Sequence, residues 1–354
     1  MQHFCFLILF LMLAGCVQQT VMPVQPVDAA LKFKQTPAEL GLNLSIQTFG
    51  IDADQHFQQP IQEVESRFLP YQLRQTFADS GYWGAIRVAP ALDPSAEVNI
   101  QGRVLASDGY VLRLEITVID SRGDVWLNKV YEDWAFDHQY EIEENSDSFQ
   151  DLFNLIVNEV NTALIQRSAD SGKLISSAML RYGSTLSPLV FDPYFTRDDN
   201  GLMEIVALPA SEDAMLKRVL RIRESEYNFM DAMDDHYSLF FKQVKPVYDY
   251  WRRYSFELVS YNRTLQQTGV HGRKRPKDRW SSLESVYETY RESKMNEDEL
   301  REMAQGFESE TQSTSVIFED AVYHMNGSLQ SQYGQWRQLL QDLFVAERSV
   351  PETQ

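Results

Sequence analysis

Apolar and polar side chains alternate from residue 42: Leu42, Leu44 and Ile46 are separated by Asn43, Ser45 and Gln47, the period of a half-buried strand. Residues 60–80 change period and set Val64, Phe68, Leu73 and Phe77 along one face of a helix. Pro70 lies inside it and predicts a kink or a restart, and Gly81 follows Ser80 as a C-cap. A short strand is expected at 85–89. Two longer ones, at 97–105 and 110–119, are joined by Ser107-Asp108-Gly109, a hairpin signal. Asp120-Ser121-Arg122-Gly123 turns the chain into a last strand at 125–134. An acidic stretch leads to a helix at 149–165, with Phe153, Ile156, Val160 and Leu164 at helical spacing. The pattern predicts an α+β N-terminal domain over 39–167 in the order β-α-β-β-β-β-α.

Residues 168–210 read as a connector, punctuated at Gly183, Pro188, Asp192-Pro193 and Asp198-Asp199-Asn200-Gly201. Leu189, Val190, Phe191, Tyr194 and Phe195 predict that part of it packs on a domain. From residue 211 the period is helical. A stripe runs through Met215, Val219, Ile222, Phe229, Met233, Phe240, Val244, Val247, Trp251, Tyr254, Leu258, Tyr261 and Leu265. Glu226 and His236 put polar groups on it. About 55 helical residues would make a rod of roughly 80 Å, kinked at Pro246. Residues 269–276 break the helix, and a second helical stretch is expected at 280–347. Leu283, Tyr287 and Tyr290 mark one end, and Phe318, Val322, Met325, Leu329, Tyr333, Trp336, Leu340 and Leu343 the other. The middle is polar, anchored by Leu300, Met303 and Phe307. The expectation for 211–348 is an all-α long helical hairpin, or a three-helix bundle if the polar middle bends.

The apolar run at residues 4–13 is half the length that a bilayer span needs and has the length of a signal-peptide core. It ends in Leu13-Ala14-Gly15-Cys16, which resembles the bacterial lipobox. The resemblance implies that 1–15 is a lipoprotein signal peptide, that Cys16 becomes the first mature residue, and that its thiol carries lipid. Residues 16–38, with Gln18, Gln19, Pro23, Gln25 and Pro26, then read as a lipidated tether. Val17, in place of Asp after the cysteine, implies sorting to the periplasmic face of the outer membrane. Only His3 and the chain's own amine supply positive charge before the apolar run. The alternative is therefore an ordinary secretory signal with Cys16 near its cut. Cys5 is the other cysteine, and it lies in the segment that would be removed. The mature chain of about 340 residues then has no thiol for a disulfide, a zinc site or a nucleophile, and its stability rests on packed cores.

The net charge of −19 argues against general nucleic-acid binding, which rests on neutralising phosphates. Against that background Arg273, Lys274, Arg275, Lys277 and Arg279 stand out. At the tip of a helical hairpin they would contact an anionic partner surface, lipid headgroups or a wall polymer; the plainer reading is a solubilising loop. Asp231, Asp234, Asp235 and His236 fall within two helical turns. That cluster offers metal ligands, or more simply a solvated acidic face. Asp198-Asp199-Asn200-Gly201 lacks the spacing of a calcium loop and reads as a turn. Tyr248, Tyr250, Trp251, Tyr254, Phe256 and Tyr261, interleaved with Arg252 and Arg253, read as a bundle core with snorkelling arginines, or as a seam for a partner helix. No hydrolase, phosphate-loop or zinc-protease motif is present.

One longer pattern joins Phe77-Ala78-Asp79-Ser80-Gly81-Tyr82-Trp83, Ile86-Arg87-Val88, Val104-Leu105-Ala106-Ser107, Leu114-Glu115-Ile116-Thr117-Val118-Ile119-Asp120 and the turn before Trp126. Over residues 40–167 it resembles the periplasmic fold of auxiliary lipoproteins of ABC-type envelope transporters and related outer-membrane lipoproteins. The resemblance implies a module that works by docking. It consists of strand edges and turns, so it carries over no site residues. The expectation is a non-enzymatic accessory or scaffold protein, tied to the membrane by acyl chains on Cys16, with an envelope protein partner and no cofactor, metal or nucleic acid. The alternatives are a lipid or wall-glycan binder with a groove between its domains, and an envelope hydrolase using two carboxylates roughly 5 to 9 Å apart.

Overall fold

A computed structural model describes residues 26–33, 41–51, 59–136, 147–268, 283–309, 313–318 and 321–348. The N-terminal part holds β1 (Leu44–Gln47), β2 (Gly50–Ile51), α1 (Gln59–Ser80), β3 (Ile86–Ala89), β4 (Val98–Ser107), β5 (Val111–Asp120), β6 (Val125–Trp134) and α2 (Gln150–Gln166). The sheet order is β3-β1-β4-β5-β6, with β2 paired to β4. β1 is parallel to both neighbours, because α1 carries the chain across to β3. The β4–β5–β6 meander is antiparallel. Leu112, Leu114, Ile116 and Val118 of β5 point into a core with Phe68 and Phe77 of α1 and Leu152, Phe153 and Ile156 of α2. On the outer face Arg103 pairs with Glu115 at 2.6 Å and Arg113 with Glu132 at 3.5 Å, the solvated side of an antiparallel sheet.

The region read as a connector contains a helix, α3 (Ser171–Leu186), then the single turn α4 (Pro188–Phe191) and a small hairpin, β7 (Phe195–Arg197) and β8 (Met203–Ile205). Gly183, read as a turn marker, sits inside α3. A side chain there would meet the Phe191 ring at 2.8 Å, so glycine serves the close packing of α4 on α3. Asp198-Asp199-Asn200-Gly201 is the expected turn: Asp198 Oδ1 accepts the Asn200 and Leu202 N–H groups.

The long helix α5 (Ala214–Thr268) is continuous across Pro246, and α1 across Pro70. The second helical stretch is divided. Between α6 (Leu283–Ser309) and α7 (Leu329–Arg348) lies an antiparallel hairpin of β9 (Thr314–Phe318) and β10 (Ala321–Met325). The spacing of Phe318, Val322 and Met325 imitates a helical stripe, but β-branched Thr314, Val316 and Ile317 favour extended backbone. The fold is α+β, with the long helix following the mixed domain.

Helix α5 belongs to two cores. Phe240, Val244, Tyr248, Trp251 and Phe256 enter the sheet core together with Leu300 and Ala304 of α6. Val219, Ile222, Phe229, Met230 and Met233 build a second core with Leu180 and Tyr182 of α3, Trp336 and Leu340 of α7, and Val88 and Ala89 of β3. Helix α1 is therefore enclosed between the sheet and α5. Its Phe68 ring lies 4.6 Å from Phe241 and 4.3 Å from Tyr248. Among the described residues no helix is long and apolar enough to cross a membrane.

Candidate functional site

The seam between α5 and the rest of the molecule concentrates the buried charge. At its β3 end, Asp234 Oδ1 accepts the Val88 N–H at 2.8 Å while Oδ2 pairs with Arg74 at 2.7 Å. This caps an edge-strand donor that would otherwise be buried without a partner. Arg87 Nε pairs with Asp231 at 2.6 Å. About two turns further toward the start of α5, Arg223 pairs with Glu97 at 2.6 Å and donates to the Ser95 carbonyl. Tyr227 lies between the guanidinium groups of Arg87 and Arg223, 5.0 and 5.2 Å from its ring.

Glu65 of α1 is the centre of a second cluster. Its carboxylate accepts from Tyr248 at 2.7 Å and from Ser107 in a short hydrogen bond, and Arg252 lies 3.4 Å away. Burial pushes the Glu65 carboxyl up, against the opposing pull of Arg252, Ser107 and Tyr248. The Arg252 guanidinium also sits 4.6 Å from the Phe149 ring. Just beyond, the β4–β5 hairpin touches α5: a side chain at Gly109 would lie 2.8 Å from the Arg252 carbonyl oxygen and the Phe256 nitrogen.

Glu226 is the third centre, where α3, α5 and α7 meet. It accepts from Trp336 Nε1 at 3.2 Å and Tyr182 Oη at 3.3 Å, and it pairs with Arg337 at 3.3 Å. Burial raises its carboxyl to about 7, with Arg337 pulling the other way.

These groups join helices to one another and to the sheet. Glu65, Glu97, Glu226 and Asp234 each face an arginine on another element. In a dry interface such pairs add little net stability but penalise every other register of a long helix. A cleft of about 200 Å³ opens near the carboxyl ends of β1 and β3, lined by Thr48, Pro90, Arg67, Tyr237, Phe307 and Leu329 among others. Its volume is below the roughly 300–1,000 Å³ of ligand pockets.

The Asp231 to His236 cluster is divided: Asp234 is buried against α1 and β3, whereas Asp231 and Asp235 lie on the exposed side of α5. Asp231 and Asp234 pair with arginines of β3 and α1, and only Asp235 is exposed without a docking contact of that kind. Among the described residues no group of three His, Cys, Asp or Glu side chains could hold a metal ion. His236 is half-buried 3.4 Å from the Thr314 hydroxyl, and burial lowers its pKa. In the aromatic run, Tyr248, Trp251 and Phe256 are core, whereas Tyr250 is exposed. Arg252 does not snorkel; it is buried in the Glu65 cluster. Leu13, Ala14, Gly15 and Cys16 lie outside the described residues, as do Arg273, Lys274, Arg275, Lys277 and Arg279.

Part of the expected tether is docked. Val27 N–H donates to Asp133 Oδ1, and Asn158 bonds both the Ala30 carbonyl and the Lys32 N–H, all at 2.9 Å. Val27 and Leu31 pack on the first core. Pattern reading passed over Glu65, Glu97 and Asp133, since a buried acid differs from a surface one only through a partner distant in sequence. Glu226 alone left a trace, as a polar position on an apolar stripe.

No family model matches the chain, and no curated protein matches it. A solved structure, a Xanthomonas campestris protein described by the family-model DUF330, is similar at a TM-score of 0.24 with 11% identity, covering 42% of this chain and 94% of that one.

Proposed function

We propose that this chain is an exported lipoprotein, held at the periplasmic face of the outer membrane by acyl chains on Cys16, that works without catalysis as an accessory or scaffold for other envelope components. The observation that carries the reading is Leu13-Ala14-Gly15-Cys16 at the end of a ten-residue apolar run, followed by a chain with no further cysteine. Several acyl chains on one residue anchor stably, because each buried CH2 contributes about 0.8 kcal/mol. A scaffold needs rigid geometry, and the buried pairs along α5 supply a way to hold a 55-residue helix in one register. In this reading the cations Arg273, Lys274, Arg275, Lys277 and Arg279 contact an anionic partner surface.

Two measurements test it. Metabolic labelling with a palmitate analogue should mark the wild-type protein and not Cys16→Ser; equal labelling of both overturns the anchor. Cross-linking in intact cells, followed by mass spectrometry, should return a small reproducible set of envelope proteins. Those links should weaken when Arg273, Lys274 and Arg275 are all changed to Glu. If no protein partner is recovered, the scaffold reading falls, and bound lipid or glycan becomes the object of the search.

A further inference from the structure

The docked strap at residues 26–33 limits how far the body can stand from an anchor at Cys16. Only residues 17–25 separate that anchor from Pro26, and ten peptide steps at 3.3–3.6 Å span at most about 35 Å. The strap enters at one end of the molecule. Val27 bonds Asp133, and the neighbouring Trp134 ring lies 5.5 Å from Tyr110 at the tip of the β4–β5 hairpin. Tyr110 stacks on Phe256 of α5 at 5.6 Å, and the Arg263 guanidinium covers Tyr110 at 3.9 Å and Trp134 at 5.3 Å. From Arg263 back to Ala214, α5 runs about 70 Å at 1.5 Å per residue. Helix α5 also runs out near this end, at Thr268, where the chain continues toward its five clustered cations.

We infer that the end of the body built by Val27, Asp133, Trp134, Tyr110 and Arg263 faces the bilayer, within about 35 Å of the anchored residue, and that the Ala214 end of α5 points away from it. The inference rests on the proposed acylation of Cys16. The short leash makes a lipid bilayer surface the occupant of this face.

The test uses acylated full-length protein in vesicles of phosphatidylethanolamine and phosphatidylglycerol that carry a headgroup acceptor dye. With the Cys16 thiol consumed by lipid, a single introduced cysteine takes the donor dye. Asn262→Cys reports the near end and Ser211→Cys the far end, both at exposed positions. Energy transfer should be several-fold stronger from position 262 than from 211. Equal or reversed transfer overturns the orientation. The mass of the Cys16 peptide from the same sample separates the two failures. An unmodified peptide removes the anchor and the inference with it, whereas an acylated peptide with equal transfer removes the orientation alone. Asp133→Ala combined with Asn158→Ala removes the hydrogen bonds at Val27, Ala30 and Lys32 and should release the strap, lengthen the leash and lower transfer from position 262. Unchanged transfer would show that the strap does not set the distance, and would also overturn the inference.

Discussion

Arg252 of the long helix and Glu65 of α1 form an ion pair 3.4 Å apart in which the side chains are only 6% and 1% exposed. A charge pair this deep gains attraction but loses hydration, so its two members depend on each other.

Removing one member should therefore cost far more than removing both. Arg252→Met leaves the Glu65 carboxylate buried with its hydroxyl donors alone, and should destabilise by about 3–5 kcal/mol in chemical denaturation. The double variant with Glu65→Leu should recover much of that loss. Strictly additive losses in the cycle would mean that the two residues are not coupled.

Gly109 and Gly81 both have positive φ, +81° and +73°, but only Gly109 is pressed against α5. Gly81→Ala should cost about 1–2 kcal/mol, the strain of a left-handed alanine. Gly109→Ala adds an overlap with the α5 backbone and should cost about 1–3 kcal/mol beyond that. Matching thermal midpoints for the two variants would show that the hairpin tip does not bear on the helix.

Glu226 gives a pH dependence of defined sign. Its folded carboxyl titrates at about 7 against an ordinary value of 4.5, so the folded protein binds the extra proton between those values. Stability from this group is fully present below pH 4.5 and declines as pH rises to 7. Urea unfolding across that window should show the decline in the wild type and a flatter profile in Glu226→Gln. Parallel profiles would remove Glu226 as the titrating group.

Asp234 and Asp231 differ in burial, at 9% and 61% side-chain exposure. Asp234→Ala strands Arg74 and the Val88 N–H and should cost about 2–4 kcal/mol, whereas Asp231→Ala should cost under about 1 kcal/mol. Adding magnesium, calcium or zinc should leave the wild-type midpoint in place. A metal-dependent rise that Asp231→Ala abolishes would restore these residues as a cation site.

The order of strands and helices over 39–167 was legible because each element there shows one face to one core, so its period is written in adjacent residues. Val64, Phe68 and Phe77, or Leu114, Ile116 and Val118, need no distant partner to be recognised. The stripe from Val219 to Trp251 was legible for the same reason. Residues 171–186 were not, because Gly183 acts there as a packing surface for Phe191 and only the neighbour's position reveals it. The β9–β10 hairpin was masked by residues whose spacing satisfies both periods.

The sequence by itself marked a candidate export signal and a candidate acylation site at Cys16, and it determined the group of cations at residues 273–279 and the elements with one apolar face. Only the tertiary structure decided that α1 is enclosed, that Asp231 and Asp234 pair with arginines of β3 and α1, and that residues 27–32 are bonded to the body. The physical reason is distance along the chain. Glu65 meets Arg252 across 187 residues, and Glu226 meets Arg337 across 111. A buried charge is defined by a partner that no local pattern records.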